Sequence, residues 1–192
     1  MPYVTTLTGF VVFIGGMAIF AAQEFTQGFG TPESSSIRDD QWALLYLDVL
    51  PVALVSAALA LSFTGWGAWK ASEAVFFLGV AVLCLGVGIR QWSHRTLGRF
   101  HQALVTIQAD HEVITSGPYP IVRHPMYAGS AVAFLGVGLA LGTWPGLGLV
   151  FVGTLPAMVR RIRVEENALH DALGARYRDY ASGRARLLPG LW

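Results

Sequence analysis

The chain has 192 residues, of which 54% are hydrophobic and only 13% charged, with a mean hydropathy of +0.51 and a formal net charge of +1. A soluble domain carries about 25% charged residues, so this composition excludes an ordinary soluble globule and points to an integral membrane protein. It also argues against nucleic acid as a partner: the eleven Lys and Arg from Arg90 onward stand against six acids and are interrupted by apolar runs, as suits a membrane-facing basic surface.

Met1 to Gln23 contains no charged residue. Val4 to Ala22 is just long enough to cross a hydrocarbon core of about 30 Å at about 1.5 Å per residue. No basic region precedes it and no cleavage pattern better than Ala18-Ile19-Phe20 lies within it, so it is expected to be a retained span rather than a signal peptide. Gln23 to Gln41, with Thr31-Pro32, three consecutive serines, Asp39 and Asp40, reads as an acidic solvent-exposed loop. Trp42 to Phe63 is the second expected span, interrupted by Asp48 and Pro51. An acid at membrane depth is a functional candidate by default, but Asp48 is close enough to the loop to sit at the interface. Thr64 to Ser72, with Trp66, Trp69 and Lys70, reads as a short interfacial connection. Ala74 to Ile89 is the third span, extended to about Trp92, and its lone thiol, Cys84, excludes an intrachain disulfide and a thiolate metal cluster. Arg90, His94, Arg95 and Arg99 then form a positive-inside anchor, and Leu97 to Thr106 is interfacial helix or loop.

Asp110 to Gly129, DHEVITSGPYPIVRHPMYAG, is the polar, turn-rich stretch around which the chain is organised. Gly117-Pro118 signals a turn, and Pro120 and Pro125 bias the residues before them away from helix, so a shaped loop is expected up to His124. A helix then begins with Pro125 in its first turn, where the missing N–H costs little. From His124 to Val159 there are 36 residues without a formal charge, broken by Gly142-Thr143-Trp144-Pro145-Gly146. Two spans joined by a tight turn fit that length, which makes a C-terminal helical hairpin, and the glycines at 129, 136, 138, 142, 146, 148 and 153 suit close packing in lipid. Arg163 to Tyr180 is expected to leave the membrane as a surface helix. With five spans, the loops holding Arg90, Arg95, Arg99, Arg123, Arg160, Arg161 and Arg163 share one side, which the basic-residue rule makes cytoplasmic.

The hairpin brings two groups of side chains together: His111, Tyr119, Arg123, His124 and Tyr127 from the loop, and Arg161, Glu165 and Glu166 from the end of the second arm. No zincin spacing and no cysteine accompany the histidines, so no metal is expected. There is likewise no G-x-S-x-G elbow, P-loop or dinucleotide fingerprint. An arginine beside a carboxylate pair suits a zwitterionic ligand, with an acid on the guanidinium and an amine on the glutamate. The competing reading is that Arg161 and Glu165 are an i, i+4 surface pair.

The T-S-G-P-Y run at 115 to 119, the R-H-P-M-Y run at 123 to 127, R-x-x-x-E-E at 161 to 166 and G-x-x-Y-x-x-Y at 174 to 180 together resemble the isoprenylcysteine carboxyl methyltransferase family. Membrane phospholipid N-methyltransferases are similar, and the likeness covers roughly Leu97 to the C-terminus. It implies an enzyme that takes S-adenosylmethionine from the cytosol and a lipid-like acceptor from the bilayer. By that family's pattern the cofactor contacts fall on His111, Glu112, Val113, Ile114, Tyr119, His124, Pro125, Met126, Tyr127 and Glu165, and Arg161 matches a substrate-side arginine. One position departs: the family's glutamine seven residues before the first histidine is Leu104 here, leaving Gln102 or Gln108 to supply an amide.

The expectation is thus one all-α membrane domain over 1–192, with three N-terminal spans in 1–92, a methyltransferase-like half in 93–192 and a cytosolic cofactor pocket. The expected reaction is methyl transfer to an amphiphilic acceptor, first the carboxylate of an isoprenylcysteine-like compound, with phospholipid N-methylation or thiol S-methylation as alternatives. His124 and Glu166 are the nearest groups to remove a proton where the acceptor needs it, and Arg161 would hold the head group. A non-catalytic membrane subunit or transporter is the alternative of another class, and a steroid-reductase-type enzyme would be separated by NADPH binding.

Overall fold

The computed structural model describes residues 1–28, 49–70, 72–98 and 113–190. The expected acidic loop, Asp48, Leu97–Thr106 beyond residue 98, His111 and Glu112 therefore lie wholly or mostly outside the described residues, as do Leu104, Gln102 and Gln108. The regular elements among the described residues are all helical, with no strands beyond two isolated bridges. Its helices are α1 (Leu7–Gly28), α2 (Leu50–Ser62), α3 (Ser72–Leu97), α4 (Pro125–Ala140), α5 (Trp144–Leu147), α6 (Gly153–Leu173) and α7 (Ala175–Ala181).

Local chemistry sets the ends. Thr6 caps α1 by accepting the Gly9 N–H at 3.1 Å, and Pro51 and Pro125 stand in the first turns of α2 and α4, where no N–H is needed. The hairpin turn is made by Gly142 at φ +68°, followed by Thr143, whose hydroxyl accepts the Gly146 N–H at 3.0 Å. From Trp144 the chain runs helical to Leu173 through a π turn at Gly148–Val152. That wider turn immediately precedes Pro156, whose ring would otherwise press on the carbonyl of Val152, and the Thr154 hydroxyl donates to the carbonyls of Val150 at 2.8 Å and Phe151 at 3.2 Å. The surface helix expected over Arg163–Tyr180 is instead two pieces. α6 carries the hairpin arm on to Leu173, and Gly174, at φ +54°, ends it and turns the chain into α7.

The main seam lies between α3 and α4, where glycines let the backbones touch. A Cβ on Gly79 would stand 2.4 Å from the Ala140 nitrogen, one on Gly86 2.4 Å from the Ala133 nitrogen and one on Gly136 2.3 Å from the Leu83 nitrogen. Gly79 and Gly86 thus oppose Gly136 and Gly129 in an antiparallel register seven residues long on each helix. Around the seam Phe13, Phe76, Leu83, Val137, Leu141, Val150 and Ile162 form the core. Outward, α1 exposes Val11, Ile14 and Ile19 and α3 exposes Phe77, Leu78 and Leu85. Glu73–Leu97 is the one described helix both long and apolar enough to cross a membrane; Leu7–Gln23, Leu50–Ser62 and Pro125–Ala140 are apolar but shorter. Toward the end that carries the site the packing becomes polar: Arg90 Nη1 donates to the Ser130 hydroxyl across the seam, and Gln23 Nε2 of α1 to Gln91 Oε1 of α3 at 2.9 Å.

Candidate active site

α6 presents two faces in succession where it leaves the apolar core. Met158, Ile162 and Glu166 lie one turn apart and are buried, with Arg161 beside them at 5% exposure, while the Glu165 side chain keeps 33%. Opposite stands the N-terminus of α4, preceded by the loop. His124, just before the helix, is 4% exposed and its carbonyl accepts the first intrahelical bond from Ala128 at 3.0 Å.

The two groups expected from sequence do meet. Tyr127 Oη donates to Glu165 Oε2 at 2.9 Å, and Arg161 Nε reaches the same hydroxyl at 3.4 Å. His124 Nε2 lies 3.3 Å from Glu166 Oε1 and its Nδ1 3.9 Å from Glu165 Oε1. Arg123 Nη1 is 2.8 Å from Glu166 Oε1. Arg161 and Glu165 are therefore no surface pair: both converge on the half-buried Tyr127.

A third segment, missed from sequence, completes the cluster. After α7 the chain returns extended, so that Arg123 N–H donates to the Ala185 carbonyl at 2.9 Å and His124 N–H to the Arg186 carbonyl at 3.0 Å. Arg186 Nε then donates to Glu166 Oε2 at 2.7 Å. Burial alone would push the Glu166 carboxyl up. The hydrogen bonds from His124 and Arg186, with the charges of His124 and Arg123, outweigh it and hold the group at about 2. Both oxygens of Glu166 are engaged, whereas Glu165 has one oxygen turned to a half-open space.

Of the other expected residues, Tyr119 is buried, its hydroxyl 3.4 Å from the Ser93 carbonyl and its own carbonyl accepting from Tyr180 Oη at 2.9 Å. Burial, then the charge of Glu165, pushes the Tyr119 hydroxyl up. Pro125 is buried in the first turn of α4, and the carbonyl of half-buried Met126 is spent on Ser130. Val113 borders a cavity of about 550 Å³ with Thr115, Leu173, Arg176, Asp179, Tyr180 and Arg184, next to half-buried Ile114. The G-x-x-Y-x-x-Y motif is structural at Tyr180, whose ring also lies 4.7 Å from the Arg184 guanidinium. Tyr177 is 3% exposed, packed edge-on against His170 at 4.8 Å. Among the described residues no group of three or more metal-ligating side chains is gathered.

The family model described as phospholipid methyltransferase matches residues 74–176. The cobalt-zinc-cadmium resistance protein CzcN of Cupriavidus metallidurans is 30% identical over 145 residues, covering 73% of this chain and 61% of that protein. Protein-S-isoprenylcysteine O-methyltransferase B of Arabidopsis thaliana is 31% identical over 106 residues, 54% of this chain and 53% of the relative. The chain thus spans less than two thirds of either relative. In fold it resembles the solved structure of a eukaryotic intramembrane Ras methyltransferase, isoprenylcysteine carboxyl methyltransferase, with a TM-score of 0.73, 20% identity, and coverage of 97% of this chain and 69% of that one.

Proposed function

The chain belongs to the phospholipid methyltransferase family, and on that premise we propose that it is an integral membrane enzyme transferring a methyl group from S-adenosylmethionine to the carboxylate of an isoprenylcysteine-like acceptor. The observation that carries this reading is the state of Glu165. One of its oxygens is held by Tyr127 at 2.9 Å, the other stands 3.9 Å from His124 Nδ1, and a third of the side chain is open. The open part of the carboxylate thus stands beside the His124 imidazole and the Tyr127 ring, with the buried Arg161 alongside.

That donor set fits the cofactor. Glu165 and His124 would hold its ammonium, and the faces of Tyr119 and Tyr127 would favour its sulfonium by about 0.5 to 2 kcal/mol. Val113, Ile114, Pro125 and Met126 would line the remainder, with His111 and Glu112 as further contacts. When bound, S-adenosylmethionine supplies a methyl group already activated by positively charged sulfur. The protein's own task is alignment and exclusion of water, an effect that reaches about 7 to 11 kcal/mol in favourable cases. Arg161 orients the acceptor: an anionic head gains a charge-assisted pair there, whereas an amine is repelled. A carboxylate acceptor needs no base. For an amine or thiol Glu166 would not be the base, because, held at about 2, it accepts hydrogen bonds but not protons near neutrality.

We place the site at the cytoplasmic face of five spans. This topology is supported by the apolar outer faces of α1 and α3 and by the gathering of Arg90, Arg123, Arg161 and Arg186 at the end carrying the site.

The test is a methyl-transfer assay with labelled S-adenosylmethionine against a prenylcysteine analogue, phosphatidylethanolamine and a small thiol, each repeated with Arg161→Ala. Transfer to the prenylcysteine that Arg161→Ala reduces is expected. Activity confined to the thiol, or carboxylate methylation indifferent to Arg161→Ala, would reject the acceptor assignment. The family's description favours phospholipid N-methylation as the second reading, since a phosphate beside the amine would occupy the same arginine. No transfer and no cofactor binding would point to a non-catalytic membrane subunit or transporter.

A further inference from the structure

We propose that Arg186 is a positioning residue that, through Glu166, fixes which ring nitrogen of His124 carries the proton: Nε2 holds the hydrogen toward Glu166, and Nδ1 presents its lone pair to the ligand space beside Glu165.

Glu166 is sealed, its side chain 5% exposed, and among the described residues three groups stand against it as donors. Oε1 takes Arg123 Nη1 at 2.8 Å and faces His124 Nε2 at 3.3 Å, while Oε2 takes Arg186 Nε at 2.7 Å. A carboxylate so surrounded stays an anion and only accepts. In the neutral imidazole a hydrogen on Nδ1 would leave the Nε2 lone pair directed at that anion, in a buried setting where an unmade hydrogen bond is costly. Among the described residues, further charged or titratable groups near His124 are Tyr127, with ring centroids 5.8 Å apart, Glu165 beyond Nδ1, and Arg161, which reaches Tyr127.

Arg186 holds both ends of this arrangement. Its guanidinium grips Oε2 and so turns Oε1 toward the imidazole, and its carbonyl receives the His124 N–H at 3.0 Å. Arg123 shares Oε1 with the imidazole and so competes for the same atom. On the far side, His124 Nδ1 and Glu165 Oε1 are two acceptors 3.9 Å apart, an arrangement satisfied by a group with two N–H bonds such as a primary ammonium. The identity of that ligand rests on the function proposed above; the protonation pattern does not.

The pattern is read in the full-length protein in lipid nanodiscs, labelled with 15N-histidine, by long-range proton–nitrogen correlation. The His124 signals are assigned by their loss in His124→Gln, at a pH where they no longer move. The parent is expected to hold the Nε2–H form in roughly tenfold excess or more, the scale of a charge-assisted hydrogen bond. Arg186→Lys should keep that excess, and Arg186→Gln and Glu166→Gln should each bring the two forms to comparable populations. Arg186→Met, which retains the aliphatic stem, reads the same contrast if the glutamine variant does not fold. An Nδ1–H form in the parent, or a ratio unchanged by removing the guanidinium, overturns the proposal. Adding S-adenosylmethionine separates the two readings. Absence of any cofactor shift with the ratios as expected rejects the methyl-donor site alone, whereas a cofactor shift with ratios indifferent to Arg186 rejects this inference alone.

Discussion

Along the α3–α4 seam, contact is made by backbone against backbone, with Gly79, Gly86, Gly129 and Gly136 contributing by having no side chain. Around Glu166, two helices, a loop and the returning C-terminal segment are joined by charged side chains, with three donors on one carboxylate, and by two backbone hydrogen bonds from the loop to Ala185 and Arg186. The seam is sensitive to added volume and the junction to lost charge. In an apolar solvent the hydrophobic effect does little to pull helices together, so the seam relies on close approach, while the junction, beyond the apolar stretch, relies on electrostatics in a buried setting.

The comparison breaks most sharply at Gly86. Gly86→Leu must push the Ala133 backbone away and is expected to cost more than about 3 kcal/mol, read as loss of folded protein in detergent. Glu166→Ala takes the carboxylate from Arg123, His124 and Arg186 at once and should cost about 3 kcal/mol in thermal unfolding, the scale of breaking a buried ion pair. The same group gives the junction an acid limb. Its pKa is lowered from 4.5 to about 2, so its contribution is complete above about pH 4.5 and lost as pH falls through 2. Unfolding temperature should therefore drop over that window in the parent, and Glu166→Gln should flatten that part of the curve. The smallest effect belongs to Gly88, which lies two residues beyond Gly86 and faces open space. Gly88→Ala is expected to change stability by no more than about 1 kcal/mol, and in the stabilising direction.

The hairpin was legible because its turn is written in local chemistry: Gly142 supplies the positive φ and Thr143 with Pro145 starts the next helix. The convergence of His124 and Tyr127 with Arg161, Glu165 and Glu166 was legible too, since the hairpin's equal arms return the chain to the same end. Other features were not. The partners of Gly129 and Gly136 are Gly79 and Gly86, and no periodicity in one helix names its neighbour. Gly174 looked like a motif position within one surface helix and proved to be its break, because a single glycine carries no sign of its φ in sequence. Arg186 was missed for the most instructive reason: it acts on a glutamate 20 residues upstream across an intervening helix, and only tertiary contact brings them together. The extended alternation Arg184-Ala185-Arg186 was the one local hint.

On the proposed function, the half-open carboxylate of Glu165, not the sealed one beside it, would receive the methyl donor. Calorimetric titration of the purified protein with S-adenosylmethionine, parent against Glu165→Ala, tests it directly. The account predicts binding in the parent and a loss of about 1 to 3 kcal/mol in the variant, the range for a hydrogen bond to a charged group, with unfolding temperature little changed. Equal affinity in the two proteins would contradict it.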